Sequence, residues 1–413
     1  MKYFKTDGIR TNANELLFSL IPLKLGRILG NESKKICIGF DTRASSSEIY
    51  DLLVSGIITR GCDVISLGIC PTSLVGYTII KEGCDYGIMI TASHNQYTDN
   101  GIKVFSSSGD KLSKLEEREI EILLDKDIIY QQVDRLGKVE YYSSSKDDYI
   151  KYLRNLMDFP SEEKILFDTS NGVLSDYIDQ IFKDKLEYKI IENHPNGRNI
   201  NYKCGSENIN NLILNMDDSF TLGVSFDGDG DRVVIVNKNK EIITGDELLG
   251  LYTKEYNYRK IVTTKMMNLG MEEYLKSLGK EIIYSSVGDN NVLNKMKELD
   301  ICLGGESSSH IIFLNSLFRN DGVFTLIKYL NLKNRNIIYN KYFYKTINVK
   351  TKLNNEKIQK LESRINNVLV NNGRVFIRES GTENLLRINI QLKKEEDYQN
   401  VINILKEEIN LDD

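Results

Sequence analysis

A chain of 413 residues, 41% hydrophobic and 27% charged, has the composition of a folded protein and, at about 100–200 residues per domain, room for two to four domains. Its formal charge of -5 argues against a broad nucleic-acid or acidic-membrane surface, which needs an excess of Lys and Arg, but leaves room for a locally basic pocket. The opening MKYFKTDGIRT lacks the apolar core of a signal peptide and no stretch approaches the roughly 18 uncharged residues of a spanning helix, so the expected location is the cytoplasm.

Strand-like apolar runs recur along the chain, each followed by a polar turn and a helical pattern. The first group is KKICIGFDTR, CDVISLG and YGIMITAS; the second is KILFDTS, YKIIENHPNGRN and FTLGVSFDGDGDR; the third is RKIVTTKM, KEIIYSSVGD and DICLGGESSSH. This alternation predicts α/β units with mostly buried sheets, and in such sheets ligands collect where strands end. One coarse plan of strand, turn, amphipathic helix and strand repeats over 1–142, 143–242 and 243–341. The remainder, 342–413, reads as strand (YKTINVKTKL), helix (EKIQKLESRINNVLV), two strands (GRVFIRES, LLRINIQL) and a final helix, a small α+β domain. Six cysteines are scattered without a C-x-x-C pair and read as reduced structural thiols.

Four loops carry the chemistry. After YGIMI comes Thr91-Ala92-Ser93-His94-Asn95, with Lys103 shortly beyond. A serine at a strand end beside an imidazole and a lysine has the exposure, proton partner and positive charge that a phosphoryl-transfer nucleophile needs. The G-x-S-x-G elbow of acyl-transfer serines is absent. Ser-His-Asn in a loop is more often turn chemistry, and these residues alone leave both readings open.

After the strand-like LGVSF comes Asp227-Gly228-Asp229-Gly230-Asp231-Arg232. Three carboxylates two residues apart, with glycines that let the backbone curl, converge on one hard divalent cation. The alternative is a solvated acidic hairpin turn, but a turn set between two apolar runs makes three charges expensive unless something neutralises them. A calcium EF-hand fails, because its Gly and Glu positions hold Arg232 and Lys238. Three carboxylates under-coordinate an octahedral magnesium ion and leave Arg232 facing something anionic, and a phosphate oxygen satisfies both.

The third loop, Gly304-Gly305-Glu306-Ser307-Ser308-Ser309-His310, offers carboxylate, hydroxyl and imidazole groups to a sugar, or is equally a Ser-rich solvated turn. The fourth, Arg378-Glu379-Ser380-Gly381-Thr382-Glu383-Asn384 followed by Arg387, pairs hydroxyls and exposed N–H groups with arginines and reads as a phosphate nest. Neither a Walker-type P-loop nor a dinucleotide fingerprint is present, which removes ATP and NAD as indicated ligands.

Taken in order, TASHNQYTDNGIK, DGDGDR, GGESSSH and RESGTEN resemble the four active-site loops of the α-D-phosphohexomutase superfamily, and the likeness spans the whole chain. Within it, KYFKTDGIR and TKMMNLGMEEYLKSLG followed by VGD are similar to the phosphoglucosamine branch. The resemblance implies a four-domain fold: three similar α/β domains with mixed sheets (1–142, 143–242, 243–341) and a smaller α+β C-terminal domain (342–413).

It further implies a phosphate carried on Ser93, and one Mg2+ held by Asp227, Asp229, Asp231 and that phosphate. Arg10, His94, Lys103 and Arg232 would line the transfer site, with His310 near the reacting oxygen. Glu306 and Ser308 would contact sugar hydroxyls, and Arg378, Ser380, Gly381, Thr382 and Arg387 would hold the non-reacting phosphate. The implied reaction interconverts glucosamine 6-phosphate and glucosamine 1-phosphate through a bound sugar bisphosphate, with a sugar 1,6-bisphosphate as activator, in a monomer or homodimer with no nucleic-acid or membrane partner. The bisphosphate must turn end for end while the last domain releases and recaptures it.

The chain departs from the family pattern at Gln96, Glu379 and Asn384 (usually proline), Ser309 (usually glycine) and Asn290 (arginine in the phosphoglucosamine branch). These positions bear on substrate choice and keep two alternatives in play: a phosphoglucomutase or phosphomannomutase, and a phosphosugar-binding protein without turnover. A further rival, an aspartyl-phosphate enzyme, rests on the loose D-x-D-x-V match of Asp229-Gly-Asp231-Arg-Val.

Overall fold

In the computed structural model the described residues are 2–5, 7–126, 132–141, 144–159, 162–351, 353–379 and 385–409. They form four sheets. The first has seven strands, β1 (Phe4–Lys5), β2 (Gly8–Asn12), β3 (Lys35–Phe40), β4 (Asp63–Ile69), β5 (Tyr86–Ile90), β6 (Asp99–Ser106) and β7 (Val139–Tyr141), in the order β1-β2-β6-β5-β3-β4-β7. Its centre, β5-β3-β4, is parallel, and its apolar runs are buried as a sheet covered on both faces requires. The antiparallel β6 and β2 extend it on one side.

The second sheet is β8 (Lys164–Asp168), β9 (Glu187–Ile191), β10 (Leu222–Phe226), β11 (Val233–Asn237) and β12 (Ile242–Ile243), ordered β12-β11-β10-β8-β9. Its β10 and β11 form an antiparallel hairpin in which Phe226 faces Val233, so the acidic hexapeptide is the turn between two buried strands. In the third, β13 (Lys260–Thr264) runs parallel between β14 (Glu281–Ser285) and β15 (Leu303–Glu306); β16 (His310–Phe313) follows in the chain. The fourth is antiparallel: β17 (Phe343–Val349) and β18 (Gly373–Glu379) flank β19 (Leu386–Leu392), and helices Asn355–Leu369 and Tyr398–Glu408 contribute Ile358, Leu361, Ile365, Val401 and Leu405 to its core.

The α/β reading therefore holds across the chain, and the last segment is the small α+β layer expected. By compactness the chain divides into two units, 1–244 with 308–333 and 245–307 with 334–413. We propose the finer division 1–142, 143–242, 243–341 and 342–413 as the domain organisation, since the four sheets begin in turn within these four segments.

In the first unit, four of the notable loops lie beyond the carboxyl ends of strands. The Ser93 loop follows β5, Asp41–Arg43 follows β3, Thr72 follows β4 and the acidic turn follows β10. The two sheets' loops meet closely: a Cβ on Gly228 would lie 2.7 Å from the Ser93 carbonyl oxygen, so only glycine fits there. Helix Gly322–Leu330 supports the acidic turn from behind, through a 2.9 Å hydrogen bond from the Gly322 N–H to the Gly230 carbonyl.

Candidate active site

Ser93 is buried and takes a left-handed backbone conformation (φ 51°), unusual for a residue with a Cβ. Its N–H donates to the Thr91 hydroxyl, and its carbonyl accepts from Asn201 Nδ2 at 2.8 Å and Arg43 Nη2 at 3.2 Å. Both donors also reach the Asn95 carbonyl, so two side chains from elsewhere in the sequence clamp the loop in its strained form. The Arg43 guanidinium is itself fixed by an ion pair with buried Asp41.

The Ser93 hydroxyl thereby points at the acidic turn and donates to Asp227 Oδ2 at 2.6 Å, with His94 Nδ1 at 3.5 Å. Burial, together with the Arg232 and Arg10 charges, pushes the His94 pKa down to about 3. The imidazole is neutral at physiological pH and serves as a hydrogen-bonding partner rather than a cation.

Asp227, Asp229 and Asp231 are all buried, and one oxygen from each lies within 4.8 Å of the others. Lys103, equally buried, donates to Asp229 Oδ2 at 2.8 Å and Asp231 Oδ2 at 3.1 Å. Burial disfavours its charge, but Asp229, Asp231 and Asp7 outweigh that and hold its pKa well above the ordinary lysine value. Burial and the neighbouring Asp231 and Asp229 charges push Asp227 well up, although Arg232 opposes them: two cations, Lys103 and Arg232, face three buried carboxylates. The Oδ1 atoms of Asp229 and Asp231 are buried without a hydrogen-bond partner. Free, converging carboxylate oxygens in a charge-deficient site are the donor set of a hard divalent cation, and the residues present fit one.

Cationic groups surround this centre. Arg10 on β2 pairs in register with Gly101 on β6, two residues from Lys103, so sheet alternation puts both cations on one face. Asp7 joins them, accepting from Arg10 Nη2 at 2.5 Å and pairing with Lys103 at 3.3 Å and with Lys111. Arg232 donates its N–H to Asp227 Oδ1 at 3.1 Å and pairs with Glu207. His310 is buried, its Nε2 4.0 Å from Asp231 Oδ2. The first unit thus gathers Arg10, Ser93, His94, Lys103, the three aspartates, Arg232 and His310. Ser308 is exposed in the turn between β15 and β16, and Ser309 beside it takes φ 63°, the conformation that glycine adopts most easily.

In the second unit, Glu306 accepts the Gly288 N–H at 2.8 Å. Arg378 and Arg387 are direct cross-strand partners on β18 and β19. Burial and Arg387 lower the Arg378 pKa, and the Glu306 carboxylate partly restores it. Like charges placed opposite each other on a sheet are unfavourable on their own, and an anion between them would relieve the pair. Glu379 is exposed, and strand alternation turns it to the face opposite Arg378, so it does not oppose an anion there. Ser380, Gly381 and Thr382 lie outside the described residues.

Asp7, Thr72, Arg43 and Asn201 escaped the sequence reading. Each is a single polar residue in a stretch that reads as an ordinary turn or helix start. The one available signal was the pairing of Asp41 and Arg43 at the end of a buried strand.

Family models for all four phosphoglucomutase/phosphomannomutase domains match the chain: alpha/beta/alpha domain I over residues 1–130, domain II over 147–240, domain III over 244–341 and the C-terminal domain over 346–405. A phosphoglucosamine mutase of Levilactobacillus brevis is 34% identical, with 96% of each chain covered. Among solved structures, a phosphoglucomutase/phosphomannomutase family protein of Burkholderia thailandensis superposes with a TM-score of 0.82 at 20% identity, covering 99% of this chain and 98% of that one. N-acetylphosphoglucosamine mutase of Aspergillus fumigatus, solved with GlcNAc-6P and magnesium, gives 0.67 at 14% identity, covering 98% and 95%. With four domain models matched in order over nearly its whole length, this chain belongs to the phosphoglucomutase/phosphomannomutase family of α-D-phosphohexomutases and is a phosphosugar mutase.

Proposed function

We propose that the chain interconverts glucosamine 6-phosphate and glucosamine 1-phosphate, with Ser93 as the phosphate carrier. The observation that carries the mechanism is Ser93 Oγ held 2.6 Å from the first carboxylate of a buried, cation-deficient acidic turn. The 34% identity to a phosphoglucosamine mutase over 96% of the chain favours glucosamine as the sugar.

Phosphorylated Ser93 gives its phosphoryl group to the free hydroxyl of a hexosamine monophosphate. The Ser93 O–P bond breaks as the sugar O–P bond forms, and the product is a bound 1,6-bisphosphate. After the bisphosphate reverses, its other phosphoryl group returns to Ser93. Asp227, Asp229 and Asp231, with the Ser93 phosphate, would hold Mg2+, which supplies Lewis-acid charge stabilisation to the transferring group. Arg10, Lys103 and Arg232 spread the remaining charge. Neutral His94 exchanges a proton with Ser93, and His310 with the sugar oxygen.

Glu306 and Ser308 read sugar hydroxyls, and Arg378, Ser380, Gly381, Thr382 and Arg387 hold the phosphate that does not react. A sugar 1,6-bisphosphate serves as activator by priming Ser93. No helix among the described residues is long and apolar enough to cross a membrane; we place the enzyme in the cytoplasm, as a monomer or homodimer.

The test is a mutase assay with Mg2+ and bisphosphate-primed enzyme on the phosphates of glucosamine, glucose and mannose. A dominant kcat/KM for glucosamine phosphate is expected. A dominant value for glucose or mannose phosphate would overturn the substrate assignment and leave the chemistry standing.

A further inference from the structure

Asp229 is held in a way that separates its two oxygens. The Thr72 hydroxyl donates to Oδ2 at 2.5 Å, and Lys103 Nζ donates to the same atom at 2.8 Å. The Thr72 N–H also donates to the Asp229 carbonyl at 3.1 Å, fixing backbone and side chain together. With Oδ2 engaged twice, Oδ1 is left buried and without a donor.

Thr72 opens helix Thr72–Glu82 after β4, and both Thr72 and Asp229 are buried. The next residue, Ser73, donates to Asp321, the N-cap of helix Gly322–Leu330, whose Gly322 N–H holds the Gly230 carbonyl. Neighbouring hydroxyls thus fasten the Asp229-Gly230 segment directly and from behind.

We propose that Thr72 is a positioning residue for the cation site: its hydroxyl locks the Asp229 carboxylate so that one oxygen stays turned toward the ion. This rests on the reading of the acidic turn as the Mg2+ site. A carboxylate with one fixed oxygen reaches the cation without losing rotational freedom on binding. Supporting partners of this kind typically tune metal affinity by about 10–100-fold. Valine at this position keeps the shape of threonine and removes the donor.

The experiment is calorimetric titration of the full-length, dephosphorylated protein with MgCl2 alone, with a thermal melt of each variant to report folding. Thr72→Val and Thr72→Ala are expected to raise the Mg2+ Kd by about 10–100-fold, and Thr72→Ser to keep it within about threefold of the parent. Alanine guards against a valine variant that does not fold, since it places no methyl against the carboxylate. Parent-like Mg2+ binding by a folded Thr72→Val or Thr72→Ala protein would overturn the proposal alone, as would a Thr72→Ser protein as weak as they are. If Asp229→Asn and Asp231→Asn bind Mg2+ like the parent, the metal-site reading itself fails and takes the role of Thr72 with it.

Discussion

The Ser93 hydroxyl and the Asp227 carboxylate form a buried hydrogen bond of 2.6 Å between residues 134 positions apart. Phosphorylation of Ser93 removes that donor and sets a dianion against carboxylates already short of positive charge. The phosphorylated state therefore requires more cation than Lys103 and Arg232 provide. Metal and phosphoserine are coupled consequences of one constellation.

Removing Lys103 should expose that deficit. Lys103→Met leaves Asp229 and Asp231 facing each other in a buried site, and breaking a buried pair in this way costs about 3–5 kcal/mol. Urea unfolding should show a loss of that order, partly recovered by millimolar MgCl2, with the Mg2+ effect larger in the variant than in the parent. A loss below about 1 kcal/mol would mean that the aspartates are neutral without it.

Asp321 makes stability fall as pH rises. Burial pushes its pKa up to about 6 from 3.8, despite donation from Ser73, the Phe324 N–H and Tyr149. A raised folded-state value means its contribution is fully present below about 3.8 and lost as pH rises through about 6. Asp321→Asn cannot ionise and lacks this loss. Between pH 4 and pH 8 the difference in unfolding free energy should shift toward the asparagine variant by an amount on the order of 3 kcal/mol. Urea titrations at several pH values read it; a difference that does not change with pH contradicts the assignment.

Arg378 and Arg387 should trade stability for binding. Arg378→Gln relieves a like-charge cross-strand pair, which predicts a stability gain of about 0.2–1 kcal/mol. If the pair holds a phosphate that does not react, the same change raises KM while kcat moves less, because the contact is made in ground and transition states alike. Steady-state kinetics beside chemical denaturation measures both. A fall in kcat at constant KM would place Arg378 at the reacting end.

The loops that carry chemistry were legible because they are contiguous: Asp227–Arg232 and Thr91–Lys103 each present several functional groups between apolar runs. The alternation of those runs likewise exposed the α/β order and the small final layer. What supports the loops was not legible. Thr72 comes to Asp229 from 157 positions away, and Asn201 and Arg43 come to Ser93 from 108 and 50, through sheet order that no local pattern encodes. The left-handed backbone at Ser93 was hidden for a related reason, since serine carries no signal of positive φ as glycine does, whereas at Ser309 the glycine usual in the family pointed to it. That Glu379 is exposed and on the face opposite Arg378 emerged only once its strand was placed.

The most direct test of Ser93 as the phosphate carrier is to incubate the protein with Mg2+ and a hexose 1,6-bisphosphate labelled with 32P, then map the label by peptide sequencing and challenge it with hydroxylamine. The account predicts stoichiometric label on the peptide containing Ser93, resistant to hydroxylamine, lost in alkali, and absent from Ser93→Ala, which should also lack mutase turnover. Hydroxylamine-labile label on the peptide spanning Asp227–Asp231, or full turnover by Ser93→Ala, would contradict it.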